Sequence, residues 1–156
     1  MSYNQKLPKW IFASLAKHFA SVAQGIGVKY YAEGLDDETS EVYQNTNLSM
    51  RVDGPATFEG SSLDYYRVDV QAMLTGVGEV AGYTLHEYAG IVAESLRGVI
   101  TIYQIPESPT TKVACLDLDS KTVDSVRVVN FSRVSTSSNV RQIAVIAKLM
   151  VEIPSV

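Results

Sequence analysis

Scarce residue types limit the chemistry available to this chain of 156 residues. It contains one cysteine, Cys115, and two histidines, His18 and His86. No Cys-x-x-Cys or His-x-x-x-His spacing occurs, and neither histidine has a nearby partner in the sequence, so nothing indicates a transition-metal site or histidine-based catalysis. One cysteine cannot form an internal disulfide, which favours a reducing compartment. We therefore expect no enzyme activity, no cofactor and no metal.

Charge and long apolar runs are also scarce. Charged residues make up 19% of the chain and the net charge is -4, which argues against a protein that coats nucleic acid by neutralising phosphates. No stretch approaches the roughly 20 apolar residues of a membrane span, and residues 1–10 have no apolar run typical of a targeting signal. The length suits one domain, residues 1–156. We expect a soluble protein that is made in the cytoplasm and does not bind membranes.

Apolar residues at helical spacing predict a first helix over residues 8–27. Pro8 suits its first turn, and Gly25 and Gly27 mark its end. Trp10 falls among the polar residues on the opposite side of this helix. Because tryptophan often anchors interfaces, Trp10 is a candidate subunit contact, and the alternative is that it packs under the N-terminal arm.

A second helix is predicted to begin at Thr84. Thr84 as N-cap and Glu87 three residues later form a capping box, and Gly98 follows as a stop signal. The preceding loop carries Gly76, Gly78 and Gly82, whose spacing does not match a phosphate-binding motif. A nucleotide-binding domain is therefore a remote alternative.

Alternating apolar residues predict several strands. Residues 48–52 and 64–76 should form an antiparallel pair, and the last strand, residues 140–153, is expected to pair with residues 126–134 through a tight connection. The second face of this last strand carries Ile146 and Met150, which are too apolar for bulk water, so we expect another subunit to cover them. The predicted fold class is α+β, with a mainly antiparallel sheet flanked by two helices.

Residues 33–47 contain five acidic residues and no basic one. Such a run is ordinarily a solvated loop. It could also line the bore of a ring, where negative charge would keep passing DNA from sticking. The candidate lumen-facing residues are Asp36, Asp37, Glu38 and Glu41.

The order of elements resembles the tail terminator, or tail completion, proteins of long-tailed bacteriophages. The resemblance lies in the strand containing Arg67-Val-Asp-Val70 after a loop with Phe58 and glycines, followed by a strand, a glycine-bearing loop and a helix. It implies a virion protein that forms a ring, expected to be hexameric, on the end of the tail tube. The ring would stop tube polymerisation and join the tail to the head connector. DNA would pass through the lumen without specific binding, and Phe58 and Glu59 would contact the tube.

Two other classes remain open. A head-completion or neck protein, or the tube subunit itself, would belong to the same assembly, although tube subunits are typically mostly strand and two helices count against that reading. A small ligand-binding domain with no role in assembly is a further alternative.

Overall fold

The computed structural model describes residues 5–31, 45–57, 66–78, 82–118, 125–131 and 140–152. These contain two helices, α1 (Leu7–Ile26) and α2 (Gly82–Ser95). The strands are β1 (Lys29–Tyr31), β2 (Asn47–Thr57), β3 (Tyr66–Val77), β4 (Ile100–Gln104), β5 (Ser108–Leu118), β6 (Val126–Asn130) and β7 (Val140–Glu152).

The ends of the two helices can be compared with the proline, glycine and capping signals in the sequence. Helix α1 is confirmed: Pro8 lies in its first turn, and Gly27 ends it in the left-handed conformation (φ 90°) while its N–H donates to the Ala23 carbonyl. Helix α2 begins two residues earlier than predicted, at Gly82. The predicted capping box is wrong, because Thr84 and Glu87 both lie inside the helix.

The predicted fold class requires correction. The sheet has the order β1-β2-β3-β7-β5-β4, with β6 also paired to β7, and β1 runs parallel to β2. Five of the six pairings between described strands are antiparallel, but the parallel β1–β2 pair makes the sheet mixed rather than purely antiparallel, and it curls into a half-barrel. Of the described residues, 54% lie in strands and 31% in helices. A parallel pair needs a long crossover, and the chain between β1 and β2 is long enough to supply it.

Helix α1 explains how the sheet curls. It contacts β1 and β2 near one margin of the sheet and β4 at the other, while α2 contacts β3, β7 and β6 and also touches α1. Both helices therefore share one side of the sheet, which we call the inner face. The core lies between them, and its largest fully buried side chains include Phe19, Ile11, Leu15, Leu48, Leu74 and Leu85.

Strand β7 lies in the middle of the sheet. It pairs with β3 along almost its whole length on one edge, from Tyr66 opposite Val151 to Val77 opposite Val140. On its other edge, β5 and β6 follow each other end to end. The predicted pairing of β7 with residues 126–134 is confirmed through β6, whereas the longer pairing with β3 was not anticipated. The last strand therefore offers no free edge of its own.

Candidate functional site

The face of the sheet opposite the helices, which we call the outer face, carries a stripe of apolar side chains. Cross-strand pairing places Met73 beside Ala144 and Ala144 beside Val129, and Ile146 and Met150 follow along β7. Ala144 is fully buried but does not belong to the core cluster. Ile146 and Met150, both predicted interface residues, are half-buried. We call these five residues the outer-face stripe.

Charged side chains of both signs are interspersed on the outer face. The Nε of Arg67 lies 3.0 Å from a carboxylate oxygen of Asp69, and Lys148 lies directly across from Asp69. Ile146 borders a depression of about 260 Å³ among these charges. The charged residues on the outer face of the described strands include Lys29, Arg51, Arg67, Arg127, Lys148, Asp53, Asp69, Asp117 and Glu152. Because acidic residues lie among the basic ones, this surface is not the continuous basic patch typical of nucleic-acid binding.

Strand β6 borders the outer-face stripe and presents further apolar surface. Val128, on the inner face, is 44% exposed, and Phe131, which follows the strand, is 48% exposed. Helix α2 contacts β6 but leaves Val128 in solvent. The margin of the sheet at β6 is thus apolar on both of its sides.

Trp10 lies inside the protein rather than on its surface. Its side chain is 6% exposed, and its indole N–H donates to a carboxylate oxygen of Glu107 at 3.1 Å. Lys9 forms an ion pair with the same carboxylate. Hydrogen bonds from Lys9, from the backbone and from Trp10 lower the pKa of Glu107 to about 2. The ring of Trp10 thus packs within the chain. Its role in a subunit contact stays a prediction.

The polar side of α1 has a structural role that the helical pattern did not reveal. Ser14 is buried, and its hydroxyl oxygen accepts the backbone N–H of Tyr103 in β4 at 3.0 Å. One turn further on, the Lys17 ammonium lies 5.8 Å from the centre of the Tyr103 ring. This side of α1 therefore packs against β4. In the sequence, the one sign of this packing is Trp10, an aromatic residue among the polar residues on this side of α1.

A cleft of about 380 Å³ between α1, α2 and β4 contains a histidine and a serine in contact. The Nε2 of His18 lies 3.1 Å from the Ser95 hydroxyl, and that hydroxyl donates its only proton to the Val92 carbonyl at 2.6 Å. His18 Nε2 must therefore donate to Ser95, and it cannot act as the base that would activate this serine. Burial lowers the pKa of His18, which keeps the ring neutral near pH 7. The contact between His18 and Ser95 therefore has a structural rather than a catalytic role.

Cys115 lies on the outer face, opposite Glu152 of β7. Partial burial raises the pKa of its thiol, and the neighbouring Glu152 and Asp117 raise it further. A protonated thiol is a poor nucleophile. In the ranges that the structure covers, no group of three His, Cys, Asp or Glu residues is placed to hold a metal ion.

The remaining predicted site residues cannot be placed. Asp36, Asp37, Glu38 and Glu41, and the proposed tube-contacting residues Phe58 and Glu59, lie outside the described residues. Gly82, from the glycine-bearing loop, starts α2 close to the Arg141 guanidinium. Neither described helix is both long and apolar enough to cross a membrane.

Comparisons with known proteins bear on the fold alone. No protein-family model and no curated protein matches the sequence. A solved structure whose name states no function superposes on the chain with a TM-score of 0.56, covering 96% of each chain. The two sequences are 9% identical, so the likeness carries no functional information.

Proposed function

We propose that this protein is a structural subunit that assembles with copies of itself into a ring, expected to be hexameric, at the end of a bacteriophage tail tube. The observation that supports this proposal best is the outer-face stripe. Both helices lie on the inner face, so neither described helix covers Ile146 and Val129. Half-buried apolar side chains in the middle of a sheet favour contact with another protein surface.

The outer face has the composition of a subunit interface. A stripe of apolar residues runs beside charges that are paired within the chain, such as Arg67 with Asp69. This arrangement matches an apolar centre with a polar rim. Because carboxylates lie among the basic side chains, the face suits protein better than DNA. In the ring, the acidic segment with Asp36 and Asp37 would face the passing DNA, and Phe58 and Glu59 would contact the tube, as the resemblance implies.

A tube subunit is the second candidate. The predominance of strand over helix favours this alternative more than the sequence did, because tube subunits are typically mostly strand. The two candidates differ in their products. A terminator forms a closed ring that adds once to a tube end, whereas a tube subunit stacks into long filaments.

Replacing Ile146 with lysine tests the contact. Ile146→Lys should leave the fold unchanged, because the side chain points away from the core, but it would place a charge inside the subunit contact. We expect self-association to weaken by at least about tenfold, equivalent to roughly 1.4 kcal/mol. Native mass spectrometry and electron microscopy, alone and with tail tubes, would measure it. The matched control is Ile91→Lys, which changes an exposed isoleucine on the helix side.

In the presence of tail tubes, the wild-type protein and the Ile91 variant should form rings that cap the tube ends. A wild-type protein that stays monomeric at high concentration and ignores tubes would contradict the proposal. Long filaments of the purified protein would instead identify a tube subunit, and binding to head connectors but not to tubes would identify a neck protein.

A further inference from the structure

The margins of the sheet differ in how far their backbone groups are satisfied. At β4, the outward N–H of Tyr103 is taken by the Ser14 hydroxyl. At the opposite margin, β1 is three residues long and offers little edge. Strand β6 has five residues and lies along β7 on one side. Among the described residues, β6 and the 108–114 part of β5 each have an edge with no paired strand, and β6 is the one that exposes a valine there.

The hydrogen bonds of β6 show which backbone groups point outward. Lys148 N–H donates to the Ser125 carbonyl at 2.8 Å, and Phe131 N–H donates to the Gln142 carbonyl at 2.9 Å. In an antiparallel pair every second residue faces its partner, so the backbone of Arg127 also faces β7. The backbone N–H and C=O of Val128 then point away from β7. Val128 is 44% exposed, and no described strand pairs with the side of β6 that faces away from β7.

We propose that, in the free protein, the β6 strands of two copies pair antiparallel about a two-fold axis at Val128, joining their sheets into one. In this register each Val128 lies opposite the same residue of the second copy, and their outward N–H and C=O groups can bond in both directions. Arg127 lies opposite Val129 of the second copy, so like charges are not directly opposed. The valines are strong strand formers, which suits a paired edge. A second copy is the partner because the edge complements itself at this register.

The β6 contact is distinct from the proposed ring contact. A two-fold contact uses the same patch on both copies and closes on itself, so it cannot alone build a six-membered ring. The β6 pairing would instead cover an apolar edge before assembly, when an open strand invites aggregation. The ring contact on the outer face and the edge contact at β6 can therefore fail separately.

Proline at position 128 tests the edge contact. Val128→Pro removes an N–H that no described strand uses, so β6 should still form on β7, whereas pairing with a second copy would lose its central hydrogen bonds. Val128→Thr is the matched control, because it keeps the N–H and the branched shape. Sedimentation velocity should show dimers for the wild-type protein and the threonine variant, with the dissociation constant raised at least tenfold in the proline variant. Circular dichroism would check that all three proteins are folded.

Cysteine cross-linking gives an independent readout that does not depend on proline. In a Cys115→Ala background, Val128→Cys should oxidise to a covalent dimer, because facing residues of a hydrogen-bonded pair have Cα atoms about 5.5 Å apart, within disulfide range. Ile91→Cys in the same background should form no covalent dimer. A monomeric wild-type protein, a dimer that survives Val128→Pro, or no cross-link at position 128 would overturn the inference. Rings on tube ends that persist in the Val128→Pro variant would show that the proposed function stands separately.

Discussion

At the scale of single residues, the polar side of α1 shows why an amphipathic pattern can mislead. A helix normally turns its serines and lysines to water. Here Ser14 satisfies a backbone N–H of β4, and Trp10 donates to Glu107 beside the β4–β5 turn. Side chains that look solvent-facing in the sequence thus attach the sheet margin to the helix. The apolar stripe alone predicts one buried side, whereas α1 has two.

His18 should make stability depend on pH. Burial lowers its pKa below 6.5, so the folded protein keeps the ring neutral where the unfolded chain binds a proton. The folded state is fully favoured above about pH 6.5 and loses stability as the pH falls from there towards the lowered pKa. His18→Gln removes the titrating group and keeps a donor for Ser95.

Urea unfolding of both proteins between about pH 8 and 5 would measure this effect. The free energy of unfolding of the wild-type protein should fall more steeply than that of the variant, since the carboxylates titrate equally in both. Parallel curves would mean that His18 is protonated as easily in the folded protein as in the unfolded chain.

At the scale of elements, two nearby glycines should respond oppositely to the same substitution. Gly27 ends α1 at φ 90°, where a side chain is strained, so Gly27→Ala should destabilise the protein by about 1 kcal/mol. Gly25 lies within α1, and a Cβ there would meet no atom within 4 Å. Gly25→Ala should stabilise by up to about 0.5–1 kcal/mol, because alanine favours helix. Thermal unfolding of the pair gives the two signs, and two changes in the same direction would contradict the assigned helix end.

Most elements could be predicted from the sequence, because their signals are local. Pro8 and Gly27 delimit α1, and the alternation in β3 and β7 fixes which side chains face the core. The start of α2 could not be predicted. Thr84 and Glu87 have the spacing of a capping box, but the helix already begins at Gly82, two residues before Thr84. The candidate site was found in part. Ile146 and Met150 followed from alternation, but their neighbours Met73 and Val129 depend on pairings between distant segments.

At the scale of the whole molecule, the strand order is the feature that the sequence does not predict. Alternation shows which face of a strand is buried but not which strand lies beside it, so the parallel entry of β1 and the pairing of β3 with β7 have no local signal. The central position of β7 also determines which strand is left with an unpaired edge. The last strand looked like the segment that needs partners, yet it is enclosed on both edges, and the open margin lies at β6.

The central position of β7 predicts the pattern of amide hydrogen exchange. β7 joins the unit β1-β2-β3 to β5, β4 and β6, so its hydrogen bonds to β3 break only when the sheet comes apart. Amides around Val145 and Val70 should therefore exchange most slowly, with opening free energies near the global value. Amides of β1 and β4 lie at the margins and should exchange by local opening. Exchange followed by NMR at several urea concentrations would separate the two classes, and protection at β4 equal to that at β7 would mean that the margin of the sheet opens only with the whole fold.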